Sequence, residues 1–185
     1  DLNENAVMGI AMGTSEAGGY VDKNGNITGW LNELAFVPVD ANPSAMVDEW
    51  SGDYGCGVKY FSQDAVIKLA PAAGIELDPA LSPAEKLKVV QAKMEQGDAG
   101  ARAIYETIGV YLGYTLAFYA MFYDINHVLL MGRVTSGEGG DLVLGKAQEV
   151  LRAEYPELKM QVNLPDEKSR RVGQSVAAAS LPQIG

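Results

Sequence analysis

Cysteine and histidine are almost absent: the 185 residues contain one of each. A lone Cys56 rules out an intrachain disulfide framework and a zinc site of the paired-cysteine kind, and it is in keeping with a reducing, cytoplasmic compartment. Basic residues are scarce as well. Fourteen Lys+Arg stand against 24 Asp+Glu, a formal net charge of -10, and the densest basic group, Lys168, Arg170 and Arg171, lies beside Asp166 and Glu167. Without a positive field or a basic patch, nucleic acid is a poor candidate as a partner. Long lipid-like runs are missing too. The uncharged stretch 107–123 is 17 residues and contains Tyr111, Tyr114, Tyr119 and Tyr123. That is short of the roughly 20 apolar residues that a membrane span needs, so it predicts a helix buried on most sides. The opening Asp1-Leu2-Asn3-Glu4-Asn5 has no initiator Met and none of the segments of a signal peptide, which reads as part of something longer.

What is present is an ordinary core: 48% apolar and 21% charged residues, enough for one domain. Val7 to Gly13 is short, apolar and glycine-punctuated, as a buried strand is. After Thr14-Ser15-Glu16-Ala17-Gly18-Gly19, Tyr20-Val21-Asp22 leads to Asn24-Gly25, the pair most favoured in two-residue hairpin turns because both central positions need positive φ. A third strand is expected over Ile27 to Phe36, completing an antiparallel meander. Pro38 to Gly57 is read as an irregular connection, and Val58 to Ala73 as a helix stopped at Gly74. Ser82-Pro83-Ala84-Glu85 has Ser at the cap, Pro at the first helical position and Glu three residues on, predicting a helix to about Glu95. Asp98 then caps the longest helix, over about Ala99 to Tyr123. A strand at His127 to Gly132, a helix from about Asp141 to Tyr155, a strand at Leu158 to Leu164 and a last helix at Arg171 to Ala179 complete the order. Strands alternating with helices in the second half imply parallel pairing joined to the meander. The whole is the βββαβαβα order of a ribonuclease-H-like α/β domain with a mixed five-stranded sheet.

Two glycine-rich stretches follow apolar strands. Gly13-Thr14-Ser15 offers backbone N–H and hydroxyl groups suited to phosphate oxygens, although any tight turn also needs small residues. Gly132-Arg133-Val134-Thr135-Ser136-Gly137-Glu138-Gly139-Gly140 leads from a strand into a helix, where ligands sit in α/β sheets. It matches neither the dinucleotide fingerprint, since Val134 stands where a glycine is required, nor a phosphate loop with Gly-Lys-Ser/Thr. Gly109 and Gly113 share a helix face and predict close approach of another backbone. His127 is read as structural and Cys56 as packing. Glu33, at the end of an apolar segment, is a carboxylate that could accept hydrogen bonds from a ligand's hydroxyls or simply face solvent.

In this order and spacing the stretches resemble the C-terminal half of a ROK-family sugar kinase, in the actin/hexokinase/Hsp70 superfamily, over essentially the whole chain. Gly13 to Val21 resembles the family's GTGxGGG-type second phosphate loop. Gly132-Arg133-Val134 with Ser136-Gly137 resembles its adenosine segment, and Glu33 falls where a Gly-Glu-x-Gly-His segment places a sugar-contacting carboxylate. The resemblance implies that residues 1–185 are a nucleotide-binding lobe with a helical insertion at about 38–97, lacking the N-terminal lobe. It implies ATP or ADP with Mg²⁺ held by Gly13, Thr14, Ser15, Gly132, Arg133, Ser136 and Gly137, and a sugar held in part by Glu33. The family's general base belongs to an Asn-Asp pair expected upstream of Asp1, so no catalytic residue is assigned here and the chain by itself is expected to be inactive. Leu34, Ala35 and Phe36 follow Glu33 where the family has its histidine, and Cys56 stands without the zinc loop, so no zinc is expected. A sugar-sensing or regulatory protein that kept the fold is the alternative, and dimerisation through the long helix is a further possibility.

Overall fold

The computed structural model describes residues 5–27, 30 and 32–165. Among them lie strands β1 (Val7–Met12), β2 (Glu16–Val21), β3 (His127–Met131) and β4 (Gln161–Asn163), and helices α1 (Gln63–Leu69), α2 (Pro83–Glu95), α3 (Ala99–Tyr119) and α4 (Glu138–Glu154). The sheet is mixed, in the order β2-β1-β3-β4. β1 pairs antiparallel with β2 and parallel with β3, and β3 pairs parallel with β4. The sheet therefore carries the expected combination of a hairpin and parallel crossovers, with four strands among the described residues.

The expected third strand at Ile27 to Phe36 does not form there. Ile27 makes a single bridge to Val21, and Leu34–Phe36 is a 3₁₀ turn. The reason is tertiary: Leu34 is pressed between two glycines. A Cβ on Gly18 would lie 2.6 Å from the Leu34 side chain, and one on Gly57 would lie 2.5 Å from its carbonyl. The hairpin ahead of it also differs from the expected two-residue turn. Gly25 alone adopts positive φ, Asp22 N–H bonds the Asn26 carbonyl, and the Asp22 carboxylate accepts from Asn24 and Asn26 N–H. This is a three-residue loop with the left-handed position filled by glycine.

Register places Met8, Ile10 and Met12 beside Tyr20, Gly18 and Glu16 on one side and beside Val128 and Leu130 on the other. Residues paired across strands share a face. That face is buried against α3 and α4, whereas Val7, Gly9 and Ala11 on the other are only half-buried. The longest helix, α3, is four residues shorter than expected and is capped as expected, with the Asp98 side chain accepting from Ala101 N–H. It is buried on most sides and packs on α4 through Gly109 and Gly113. A Cβ on Gly109 would stand 2.7 Å from the Val143 carbonyl and one on Gly113 would stand 2.6 Å from Val150 Cβ. No helix among the described residues is long and apolar enough to cross a membrane.

Helix α2 runs over the expected residues with its capping box formed: Glu85 N–H bonds the Ser82 hydroxyl and the Glu85 carboxylate accepts from Ser82 N–H. The expected helix from Val58 is reduced to α1, because Gly57–Lys59 is a 3₁₀ turn and Ser62 caps the helix through Asp64 N–H. Residues 38–57 are irregular, as expected, yet densely bonded. Val39 and Asp40 N–H both reach the Gly55 carbonyl, and Gly55 N–H reaches the Met46 carbonyl. The expected helix at Arg171 to Ala179 lies outside the described residues.

Candidate nucleotide and sugar site

β1 and β3 are parallel neighbours, so the segments that follow them emerge at the same edge of the sheet. Gly13-Thr14-Ser15 makes the turn into β2, closed by Gly13 N–H bonding the Ser15 carbonyl, and leaves Thr14 and Ser15 exposed. At the end of β3, Gly132 takes φ +99° and sits so close to β1 that a Cβ would be 2.2 Å from the Met12 carbonyl oxygen. Only glycine allows that approach and that φ together. The contact seats Arg133 beside the first turn, where its Nη2 donates to Thr14 Oγ1 at 2.8 Å. Two segments 119 residues apart in sequence are thus joined at one sheet edge.

The joint is supported from behind. Gln63 N–H, in the first turn of α1, bonds the Gly13 carbonyl, and the Gln91 side chain from α2 donates to the Arg133 carbonyl at 2.8 Å. Neither Gln63 nor Gln91 was identifiable in the sequence, because both contacts join elements far apart along the chain. Gly137 starts α4 with φ +67°, and Gly140 packs so tightly that a Cβ would meet the Thr135 carbonyl at 2.1 Å. Hence α4 begins three residues earlier than expected: its glycines serve close contact rather than a loop. Glu138 and Asp141 lie in its first turn and oppose an anion at that helix end. Ser136 and Gly137 instead edge a cleft of about 130 Å³ with Gln91, Met94 and Tyr105, open to a neutral group.

Glu16 is the residue that sequence reading passed over. It follows Ser15 directly, lies opposite Met12 on the buried face and is 4% exposed, with neither carboxylate oxygen hydrogen-bonded. Burial pushes its carboxyl up to about 8, so at neutral pH it carries its proton. The signal was present in the alternation of β2, where Glu16, Gly18 and Tyr20 occupy one face.

Glu33 is exposed and caps the 3₁₀ turn Leu34–Phe36, beside β2 rather than in the Thr14–Arg133 joint. Cys56 is buried and its thiol is pushed up by burial, consistent with packing rather than reactivity. His127 opens β3, paired between Val7 and Gln161. The 38–57 loop is anchored by Lys59. Burial works against its charge, but hydrogen bonds to Asp64 and Glu49, with Asp48 3.3 Å away, hold it firmly protonated.

No family model and no curated protein matches the sequence. Solved structures do match in fold. A ROK family glucokinase from Streptomyces griseus, in complex with glucose and AMPPNP, superposes with a TM-score of 0.68 at 21% identity, covering 88% of this chain and 56% of that one. A ROK hexokinase from Thermus thermophilus gives a TM-score of 0.68 at 17% identity over 91% of this chain and 54% of that chain. A ROK family transcriptional regulator, a homologue of the E. coli MLC protein, gives 0.65 at 17% identity over 85% and 41%. The chain has the α/β fold of part of these proteins and spans about half of their length.

Proposed function

We propose that the chain is the C-terminal, nucleotide-binding half of an ATP-dependent hexose kinase of the ROK type, working in the cytoplasm. The observation that carries this reading is the Arg133–Thr14 hydrogen bond, which makes one site of the two glycine-rich segments at the carboxyl ends of neighbouring parallel strands. In this reading the Thr14 hydroxyl and the Ser15 amide hold phosphate oxygens, Gly13, whose own N–H closes the turn, lets a phosphate approach the backbone, and Arg133 both orients Thr14 and offsets phosphate charge. Gly132, Ser136 and Gly137 flank the adenosine, and Glu33 accepts hydrogen bonds from sugar hydroxyls. The chain's own part in phosphoryl transfer is positioning and charge stabilisation. The general base and the facing wall of the cleft belong to the other lobe.

Magnesium ion would shield charge on the transferring phosphoryl group. No group of three or more His, Cys, Asp or Glu gathers among the described residues to cage it. A kinase site commonly leaves most of that ligation to nucleotide phosphates and water, which this edge permits. Calorimetric titration of the full-length protein with ADP tests the reading. Saturable binding that is weakened in Arg133→Ala supports it, and no heat at millimolar ADP rejects it.

The likeness to a ROK transcriptional regulator favours a second reading, a sugar-responsive regulator that keeps the fold without transfer. Incubating full-length protein with ATP and hexoses separates the two: sugar-dependent ADP release belongs to the kinase alone.

A further inference from the structure

We propose that Phe36 and Trp50 form the stacking wall of a carbohydrate subsite whose polar wall is Glu33, and that this subsite takes neutral pyranoses and rejects anionic sugars. The inference rests on the sugar-binding reading of Glu33 given above.

Glu33 and Phe36 stand at either end of one 3₁₀ turn, bonded from Phe36 N–H to the Glu33 carbonyl at 3.2 Å. Glu33 precedes the turn and Phe36 ends it, so a carboxylate and an aromatic ring are offered within one turn of chain. Both are exposed, while Leu34 and Ala35 between them are buried and fix the turn against β2. Trp50 comes from the 38–57 loop and meets Phe36 with ring centroids 5.6 Å apart and planes tilted by 30°. It is 84% exposed, yet it is held in place. The Asp48 carboxylate accepts from Ser51 N–H, Gly52 N–H bonds the Asp48 carbonyl, Asp48 N–H bonds the Asp53 carbonyl, and Asp48 itself is tied to buried Lys59. At the base of the loop, Asp40 accepts from the Tyr60 and Tyr111 hydroxyls.

The backbone that presents the indole is braced before any ligand arrives, so the loop itself need not be ordered on binding. Aromatic faces side by side with a carboxylate match the two surfaces of a pyranose: a flat array of C–H bonds and a rim of vicinal hydroxyls. The carboxylates of Glu33 and Asp53, both exposed on these segments, add a negative field that favours neutral rings over uronates and sugar phosphates.

Calorimetry on the full-length protein tests this with glucose, mannose, galactose and N-acetylglucosamine, and with glucuronate as the anionic probe. At least one neutral sugar binds, glucuronate does not, and Trp50→Ala and Phe36→Ala each weaken that sugar about tenfold, the loss usual for truncating an aromatic anchor. ADP affinity stays at its wild-type value in both variants, which reports intact folding, and Trp30→Phe leaves sugar affinity alone. Sugar affinity that falls in Glu33→Gln but not in Trp50→Ala overturns the stacking wall and leaves the sugar-kinase reading standing. Glucuronate binding as tightly as the neutral sugars overturns the selectivity. If none of the four neutral sugars binds, the sugar reading falls together with this inference.

Discussion

Along α3 and α4, contact is made by removing side chains: Gly109 receives Val143 and Lys146, Gly113 receives Ala147 and Val150, and Gly139 receives the Tyr105 ring. The 38–57 loop is held in the opposite way, by adding charge. Lys59, 4% exposed, draws in Asp48, Glu49 and Asp64, and Asp40 gathers two tyrosine hydroxyls. Steric fit between helices tolerates no displacement, so it suits the scaffold that aligns β1 with β3 and sets Arg133 against Thr14. Ion pairing fixes a loop that has no regular backbone ladder, which leaves its tip free to display Trp50. The difference predicts different sensitivities: the helix pair to volume, the loop to charge.

Volume should do the most damage. The double variant Gly109→Val/Gly113→Val places two branched side chains where even a Cβ meets α4 backbone and side chains at 2.6 to 2.7 Å. Overpacking ordinarily costs about 1–3 kcal/mol per site, so the pair should lose on the order of 2–6 kcal/mol, with coupling between the sites because they lie one helical turn apart against the same helix. The measurement is the midpoint of urea unfolding. A near-neutral result would show that α3 and α4 can move apart, and the scaffold would be softer than its glycines suggest. Charge removal comes next. Lys59→Met keeps the stem and strips the ammonium, leaving Asp48 buried without its cation, at a cost of about 3 kcal/mol. Adding salt should change the wild type little, because a buried pair is poorly screened. If Lys59→Met unfolds at the wild-type midpoint, the loop is held by its backbone hydrogen bonds alone.

Between the two regions lies Glu16, a charge carrier placed in the volume-sensitive core. Its folded-state pKa of about 8 stands above the ordinary carboxyl value of 4.5, so between the two the folded protein holds a proton that the unfolded chain has released. Stability therefore falls as pH rises through the window from 4.5 to about 8, by about 1.4 kcal/mol per unit, and is flat outside it as far as this group is concerned. Glu16→Gln, neutral at every pH, should remove this slope, and Glu16→Met should stabilise the protein at pH 8. A wild-type unfolding midpoint that rises across the same window would show that other groups dominate or that Glu16 is solvated.

The parts of the fold that could be read from the sequence are those whose causes are local. The Ser82 capping box, the Asp98 cap and the apolar strands before Gly13 and Gly132 carry their signals within a few residues, and all appear in place. Where the cause is a distant partner, the pattern misled. The apolar run to Phe36 suggested a strand, but Gly18 and Gly57 clamp Leu34 into a turn. Gly139 and Gly140 suggested a loop, but Tyr105 and Thr135 press on them inside a helix. Of the site, both glycine-rich segments were identifiable. That Arg133 reaches Thr14 was not, because it depends on β1 and β3 being adjacent and on Gly132 having no Cβ.

The smallest effect on stability is expected at that same joint. Arg133 and Thr14 are both exposed, and a single solvent-facing hydrogen bond contributes about 1 kcal/mol, so Arg133→Ala should shift the unfolding midpoint only slightly. Its effect on ADP should be larger, because the ligand loses a cation as well as an oriented hydroxyl, and hydrogen bonds to charged groups contribute about 1.5–3 kcal/mol. Arg133→Lys separates these two contributions. An ammonium keeps the charge but not the planar fork that reaches Thr14 while facing phosphate, so affinity should recover only in part. Full recovery in Arg133→Lys would mean that charge alone matters and that the bond to Thr14 is incidental. No recovery would place the whole effect in the orientation of Thr14, and Thr14→Val should then weaken ADP as much as Arg133→Ala does.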